Sequence, residues 1–346
     1  MQKNRAVKDE ISSIVKILEE KVIQSNNIAI IPHQNPDGDA IGSALGIYHL
    51  LKKYGKTVRI ISPSFLPEFL RWMPDANRIT EIGKKTKDNP ELLKDIDLII
   101  CVDFNSLKRA ENIYKNIAYS KAYKILIDHH LEPENFTDII FSDSSYSSTA
   151  EFLYDILSET FLKDYFDVNF ATCIYTGILT DTGSFSFSSS NPNTFLVVAE
   201  LLKLGIDKDT IYDKTFNGFS GNRMRFMGHI LLNRMVVMPE IKSAYIYITA
   251  KDREDFKEQY GDTENFVNLP LSIKGVMFST IFIERDNFIK ISFRSKGSFS
   301  VAEIAKKHFN GGGHANAAGG ESFSSLKETI KKFINIIEEN YKTELI

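Results

Sequence analysis

The segment IPHQNPDGDAIGS, residues 31–43, collects one imidazole and two carboxylates directly after the apolar run NNIAIIP. His33, Asp37 and Asp39 fall within seven residues of the chain. Removing unpaired carboxylates from water is costly, so groups this close together must be solvated, paired with cations or bound to metal. Residues elsewhere in the chain distinguish these alternatives.

Three further clusters of the same residue types follow apolar runs. DLIICVDF carries Asp103, YKILIDHH carries Asp128, His129 and His130, and YTGILTDTGSF carries Asp181. Ligands of open α/β sheets bind outside the carboxyl ends of the strands, so we expect these clusters to meet HQNPDGD in one crevice. The sequence therefore predicts a single site.

Each cluster taken alone has a simpler explanation. PDGD is typical of a turn, an aspartate after a strand commonly caps the next helix, and of two adjacent histidines one can be core and one surface. These explanations would have to hold independently at every cluster. A site with two metal ions explains all of them together and is favoured for that reason.

The types of the candidate ligands indicate which ions they would bind. Two imidazoles among four carboxylates form a harder set than zinc thiolates and a softer set than an all-oxygen magnesium site. We expect two divalent ions, with Mn²⁺ favoured and Mg²⁺, Co²⁺ or Fe²⁺ as alternatives. Two ions about 3.5–4 Å apart would share a carboxylate, hold a water as hydroxide and neutralise a phosphoryl oxygen. That chemistry is phosphoester hydrolysis.

The apolar runs also predict the elements that position these residues. NNIAIIPH, TVRIISP, DLIICVDF and YKILIDHH are rich in Ile and Val, with segments between them long enough for crossover helices. This pattern predicts an α/β fold, a parallel sheet flanked by helices. Later strand-like runs and VAEIAKKHF predict a second, smaller α+β domain. We predict a catalytic metal-binding domain at residues 1–215, a helical linker at 216–237 and a substrate-binding domain at 238–346.

Length and composition exclude several classes of protein. The 346 residues exceed one typical core, and 43% hydrophobic with 25% charged residues is the composition of an ordered globular protein. A net charge of −3 argues against binding of long duplex nucleic acid, which needs a basic face. Both cysteines lie in apolar contexts, and the sequence has neither the apolar core of a signal peptide nor an apolar run of membrane length. These features predict a cytoplasmic protein without membrane partners. The oligomeric state stays open, a homodimer included.

Together the motifs resemble a known family. HQNPDGDAIGS, the VD of ICVDF, the DHH at residues 128–130 and TDTGSF are similar to the four motifs of the DHH phosphoesterase superfamily, in the same order. FRSKGSFSVAEIAKKHFNGGGHANAAGG resembles the DHH-associated C-terminal domain, with its GGGH signature at residues 311–314. The length and layout resemble the two-domain members that degrade nanoRNA and also dephosphorylate 3′,5′-phosphoadenosine (pAp).

The resemblance implies a role for each motif residue. The implied metal ligands are His33, Asp37 and Asp103 for one ion, and Asp39, Asp103, His129 and Asp181 for the other. Asp103 would bridge the two ions and so act in catalysis. Asp128 would accept the free N–H of a histidine, while His130 would contact the scissile phosphate or protonate the leaving oxygen. Residues 147–149 (SST) resemble a family segment at a helix start, which a plain N-cap explains equally well.

The second domain is implied to select the substrate. The implied contacts are Arg294, Ser295, Gly312, Gly313 and His314. Glycines let a backbone approach a phosphate closely, an arginine can clamp one, and Phe299 is a candidate for base stacking. By residue type alone, a glycine-rich turn and a solvated strand edge explain the same residues.

The substrates that the resemblance implies are short: nanoRNA of a few nucleotides, linear dinucleotides such as pApA, and pAp itself.

Four alternative functions stay open. A RecJ-like single-strand exonuclease would normally carry an added nucleic-acid-binding module, and cyclic-dinucleotide phosphodiesterases of this superfamily often carry membrane and sensory segments. A family II pyrophosphatase has a different C-terminal domain, against which GGGH argues. A non-catalytic nucleotide sensor would not need the complete ligand set.

Overall fold

The computed structural model describes residues 15–83, 91–259 and 261–345. The chain divides into two compact units, Met1–Gly218 and Phe219–Ile346. Among the described residues, no helix is both long enough and apolar enough to cross a membrane.

The first unit alternates strands and helices. In chain order the described elements are α1 (15–24), β1 (Asn27–Pro32), α2 (Gly38–Lys53), β2 (Thr57–Ser62), β3 (Ile79–Glu81), β4 (Leu98–Val102), α3 (Tyr114–Tyr119), β5 (Tyr123–Asp128), β6 (Ile139–Ser142), α4 (Thr149–Ser158), α5 (Val168–Asp181), α6 (Pro192–Lys203) and α7 (Lys208–Tyr212).

The described strands of this unit form one six-stranded sheet in the order β3-β2-β1-β4-β5-β6. Every pair is parallel, and Ile100 of β4 lies opposite Ile30 of β1 and Ile125 of β5. Residues of these central strands are buried in core clusters on both faces, as expected for a parallel sheet covered by helices. The predicted α/β fold is confirmed. The strand order changes direction between β1 and β4, and such a switch point opens a crevice for a ligand.

Glycines allow α2 and α5 to pack closely and antiparallel. A Cβ added to Gly42 would lie 2.5 Å from the carbonyl oxygen of Cys173, and one added to Gly177 would lie 3.0 Å from Oδ1 of Asp39. Only a hydrogen fits at such contacts. The close approach brings the C-terminal end of α5 to the N-terminal end of α2, beside the switch point.

The second unit is a mixed α+β structure. Its described elements are α8 (Gly221–Asn233), β7 (Met235–Met238), β8 (Ser243–Ile248), α9 (Ala250–Asp255), β9 (Phe278–Glu284), β10 (Ile289–Ser295), α10 (Val301–His308), β11 (Gly312–His314), β12 (Ala317–Ser322), α11 (Leu326–Ile336) and α12 (Lys342–Leu345). The described strands form a sheet in the order β11-β12-β10-β9-β8-β7, in which β8 and β9 are parallel and the other pairs antiparallel. This confirms the prediction of a second α+β domain.

Helices cover both faces of this second sheet. Phe293 and Phe333 belong to the core cluster that includes α10 and α11. Phe226 and Ile230 of α8 belong to the cluster on the other face. Helix α8 lies inside the range 216–237 and packs on this sheet, and that range also includes most of β7. The role of residues 216–237 as a linker stays a prediction.

Replacing Gly42 with alanine tests the contact between α2 and α5. The new methyl group would meet a backbone carbonyl oxygen, which cannot move without displacing α5. We therefore expect the free energy of unfolding to fall by about 1–3 kcal/mol in urea denaturation. Gly228→Ala in α8 is the control, because nothing lies within 4 Å of its added Cβ. That substitution should stabilise by about 0.5–1 kcal/mol; the same effect from both would contradict the close contact.

Candidate metal centre

The site begins where β1 and β4 end. His33 follows β1 and Asp103 follows β4, and both side chains are buried. Asp103 has a φ of 65°, which is uncommon outside glycine and concentrates at functional sites. Its Oδ2 lies 3.4 Å from Nε2 of His33, and its Oδ1 lies 3.7 Å from Nε2 of His129. One carboxylate thus lies between two imidazoles.

The first turn of α2 adds two carboxylates. Asp37 is the N-cap, and its Oδ1 accepts hydrogen bonds from the backbone of Asp39 and Ala40, each at 3.1 Å. The turn explanation of PDGD is wrong, because Asp37 caps α2 and Gly38 and Asp39 lie inside that helix. The same oxygen of Asp37 also lies 3.8 Å from Nε2 of His33. Asp37 is placed both to cap a helix and to face the crevice.

Asp39 is fully buried and held by a different helix. Its oxygens accept the backbone N–H groups of Thr149 and Ala150, at 2.7 and 2.8 Å. These are the first residues of α4, where unpaired amides and the helix dipole favour a negative charge. Ser148 is the N-cap of α4, so the N-cap explanation of SST is right for that residue. The hydroxyl of Thr149 instead donates to Asp103 Oδ1 at 2.8 Å.

His129 is oriented by a backbone carbonyl. Its Nδ1 lies 3.3 Å from the carbonyl oxygen of Tyr146, which can only accept, so Nδ1 carries the hydrogen. Nε2 then faces Asp181 at 3.4 Å and Asp39 at 3.9 Å. Asp181 is the last residue of α5 and so comes from a helix. The expectation that Asp181, like the other clusters, follows a strand is wrong, because the packing of α2 on α5 brings Asp181 to the site from a helix.

His130 contacts an aspartate and an arginine. Its Nδ1 lies 2.7 Å from Oδ1 of the buried Asp128, and its Nε2 lies 3.0 Å from Nη1 of Arg109. A guanidinium only donates, so Nε2 accepts and Nδ1–H donates to the carboxylate. Sequence reasoning missed Arg109. The available signal was a basic residue shortly after Asp103, in the loop that leaves the switch point.

Two of the groups of possible ligand atoms in the first unit match the implied ligands. The atoms within each group lie within 4.8 Å of one another, and these two groups are His33, Asp37 and Asp103, and Asp39, His129 and Asp181. Asp103 also forms such a group with Asp128 and His130. The structure thus brings together the two sets that the family resemblance implies, with Asp103 close to both. That these residues bind metal stays a prediction.

The protein's own groups do not balance the charges of the carboxylates in this cluster. Burial raises the pKa of Asp39 well above its usual value, and repulsion from Asp103 and Asp181 adds to the rise. Both oxygens of Asp39 nevertheless accept N–H groups, which favours the ionised form. Burial and the nearby Arg109 oppose protonation of His33, but contacts with neighbouring carboxylates raise its pKa to about 9. Both shifts indicate a site that needs added positive charge.

The donor atoms fit a divalent cation. Nδ1 of His33 lies 2.7 Å from the carbonyl oxygen of Gln34, so Nε2 points to the carboxylates, where it is buried and makes no hydrogen bond. His129 is oriented in the same way, with Nδ1 on the carbonyl oxygen of Tyr146 and Nε2 facing the carboxylate of Asp181. An imidazole nitrogen held against carboxylates needs a proton or a metal ion between them, and nitrogen with oxygen donors suits Mn²⁺ and its neighbours.

The residues implied for substrate binding lie at one end of the second sheet. Ala317 of β12 lies opposite Arg294 of β10 and opposite His314 of β11. Directly opposed residues point to the same face, so Arg294 and His314 flank the small Ala317 on one face. Gly313 has a φ of 144°, and an added Cβ would lie 2.5 Å from the Ala317 carbonyl oxygen. Glycine is therefore required beside His314.

Ser295 has structural contacts of its own. Its hydroxyl donates to the carbonyl oxygen of Phe299 at 2.6 Å and accepts from Nδ2 of Asn316 at 2.9 Å. These bonds join the end of β10 to the turn between β11 and β12. Phe299 is buried in the core, and this burial disfavours base stacking by its ring. The substrate contact of Ser295 stays a prediction.

Comparison with known proteins identifies the family. The DHH family N-terminal domain matches residues 27–178, and the DHHA1 domain matches residues 241–343. The bifunctional oligoribonuclease and PAP phosphatase NrnA of Thermus thermophilus is 31% identical over 292 residues, which cover 84% of this chain and 83% of that protein. The chain belongs to the DHH family. The resemblance drawn from the motifs is confirmed.

Two other similar proteins match nearly the whole chain. The cyclic-di-AMP phosphodiesterase PdeA of Listeria monocytogenes is 27% identical over 357 residues, covering 99% of this chain and 52% of that protein. The crystal structure of an exopolyphosphatase-related protein from Bacteroides fragilis is 41% identical, with a TM-score of 0.90, and covers 96% of this chain and 97% of that one. The proteins that this chain is similar to thus have more than one named activity.

Adding Mn²⁺ to chelator-treated protein tests the metal centre. The ion should bind only the folded arrangement, so the thermal unfolding temperature should rise, by the equivalent of about 2.7 kcal/mol at a hundredfold excess over Kd. Asp103→Asn should lose most of this rise, because Asp103 contacts both imidazoles. Asp252→Asn, at a buried carboxylate of the second unit, is the control and should keep it. A wild-type protein that Mn²⁺ does not stabilise would contradict the assignment.

Proposed function

We propose that this chain is a metal-dependent hydrolase of short oligoribonucleotides, of linear dinucleotides such as pApA, and of pAp. The observation that carries the proposal is Asp103, whose carboxylate belongs to the group of His33 and also lies 3.7 Å from His129 of the other group. The NrnA relative, named an oligoribonuclease and PAP phosphatase, supports the class of substrate. Location in the cytoplasm stays a prediction, and the oligomeric state stays open, a homodimer included.

Two divalent ions, with Mn²⁺ favoured over Mg²⁺, Co²⁺ and Fe²⁺, would occupy the groups around Asp103. When bound, such ions supply a hydroxide at neutral pH and neutralise charge on a phosphoryl oxygen. The protein holds the ligands in place. The N-terminus of α4 orients Asp39, and the Tyr146 carbonyl directs Nε2 of His129 into the group.

His130 and Arg109 are the proposed contacts of the scissile phosphate. Asp128 accepts Nδ1–H of His130, which leaves Nε2 directed at the Arg109 guanidinium. A phosphate oxygen bound there would meet a guanidinium, which forms strong charge-assisted bonds to phosphate, and an imidazole beside it. Arg109 is thus added to the residues that the motifs suggested.

The second unit would hold the far end of the substrate. Arg294 and His314 share one face of the sheet, and the backbone at Gly312 and Gly313 lies beside them. A cation and exposed amides are suited to a terminal phosphate or a base edge. Ser295 completes this proposed set. A contact with the far end of the substrate would favour substrates of a few nucleotides.

A cyclic-dinucleotide phosphodiesterase is the second candidate, because PdeA matches 99% of this chain. A RecJ-like exonuclease is a third, and a non-catalytic sensor is disfavoured by the complete ligand set.

Purified protein with Mn²⁺ should be assayed on pApA, pAp, nanoRNA, a long single-stranded RNA and cyclic di-AMP. We expect the fastest hydrolysis among the first three. Faster cleavage of long RNA or of cyclic di-AMP would favour the corresponding alternative, and no hydrolysis at all would refute the proposal.

Removal of the Arg109 side chain tests the phosphate contact in the first unit. Arg109→Ala should lower kcat/KM about ten- to a hundredfold, since one charge-assisted bond contributes about 1.5–3 kcal/mol. The loss should be similar on pApA, pAp and a minimal chromogenic phosphodiester, because each carries a scissile phosphate. Lys108→Ala, at the exposed neighbouring cation, is the control. Equal losses of kcat/KM in the two variants would mean that Arg109 acts only through its positive charge and makes no specific contact with the phosphate.

The contacts proposed in the second unit predict a loss that depends on the substrate. Arg294→Ala and His314→Ala should each lower kcat/KM on pApA and pAp about ten- to a hundredfold, for the same reason of one lost charge-assisted contact. The minimal diester does not extend to that unit and should lose far less. Lys290→Ala, on the same face of β10 as Arg294, is the control. An equal loss on the minimal diester would rule out a role in binding the far end.

A further inference from the structure

Glu151 is a buried carboxylate outside the candidate ligand groups. It lies in the first turn of α4 with 0% of its surface exposed. Its Oε2 accepts the backbone N–H of Ser147 at 3.1 Å, the Ser147 hydroxyl, and the Thr194 hydroxyl at 2.9 Å. Its Oε1 accepts from Nδ2 of Asn193 at 3.1 Å. All these partners donate, so the surroundings of Glu151 suit an ionised carboxylate.

A second carboxylate extends this cluster. Nδ2 of Asn193 also donates to Oδ2 of Asp155 at 2.8 Å, and the Tyr146 hydroxyl donates to the same oxygen at 3.0 Å. Asn193 and Thr194 lie at the start of α6, and Tyr146 lies in the loop before α4. The cluster therefore fastens that loop to two helices.

The fastened segment contacts the candidate ligands of both groups. The carbonyl of Tyr146 accepts Nδ1–H of His129. The backbone N–H of Thr149 bonds to Asp39, and its hydroxyl bonds to Asp103. Residues 146–149 therefore set the direction of one imidazole and two carboxylates.

We propose that Glu151 is a positioning residue of the metal centre. It bonds twice to Ser147, which lies between the carbonyl that orients His129 and the helix start that orients Asp39. A shift of Ser147 would therefore move ligands of both groups. This inference rests on the proposed function, since it assumes that the groups bind metal. Replacing a residue that orients metal ligands commonly weakens metal binding, although that residue does not contact the ion itself.

Glu151→Gln is the direct test. The variant keeps the shape of the side chain but replaces one carboxylate oxygen with an NH₂ group. Whichever oxygen is replaced, the NH₂ group faces another hydrogen-bond donor. Mn²⁺ binding to chelator-treated protein, measured by calorimetry, should weaken about ten- to a hundredfold. At limiting Mn²⁺ the kcat on pAp should fall, with recovery in excess Mn²⁺ and an unchanged KM for pAp. A merely structural role would lower the unfolding temperature without this dependence on Mn²⁺.

Two further variants complete the experiment. Thr194→Val keeps the volume and removes one donor to Glu151 from the α6 side, so it should weaken Mn²⁺ binding in the same direction and to a smaller extent. Asp252→Asn is the matched control. Its carboxylate is buried and accepts from Arg234 and Thr249 in the second unit. This variant should lose stability but keep the wild-type affinity for Mn²⁺.

The outcomes separate the two proposals. A folded Glu151→Gln protein with wild-type Mn²⁺ affinity overturns the positioning role. If that variant does not fold, Thr194→Val decides, and wild-type affinity there overturns it equally. A wild-type protein that binds no Mn²⁺ overturns the proposed function instead.

Discussion

The first unit is organised around the crowding of carboxylates in one crevice. Asp39 and Asp103 are buried, and each raises the cost of a charge on the other. Such an arrangement is stable only where fixed donors hold each oxygen and positive charge is added. Backbone amides at the start of α4 hold Asp39, and the Thr149 hydroxyl holds Asp103. The imidazoles and a bound cation would supply the charge.

Several features of the fold make sense as consequences of this constraint. The change of strand direction at β1 and β4 opens the crevice, and the left-handed backbone at Asp103 lies at its floor. Gly42 and Gly177 let α5 approach α2, which brings Asp181 to the same place. Glu151 then fixes the loop that orients the ligands, at a distance from them. Rigid elements and their supporting contacts, more than the ligands alone, determine the geometry.

The second unit is suited to a different task. Its sheet end combines an arginine and a histidine on one face with a glycine whose conformation other residues rarely adopt. Such a surface is suited to the proposed contacts with a phosphate or a base edge.

The sequence by itself determined the types of the candidate ligands, the parallel sheet and the second domain, because these follow from local patterns: apolar runs, acidic residues after strands and a glycine-rich segment. It also offered a helix cap as one explanation of residues 147–149, and Ser148 is that cap. Only the tertiary structure decided that Asp181 arrives from a helix, that Arg109 meets His130 and that Glu151 bonds to the loop that contains Ser147. These facts depend on contacts such as that of Thr149 with Asp39, which are 110 residues apart in the chain. No local pattern specifies such contacts, since side-chain packing across the whole unit determines which distant groups meet.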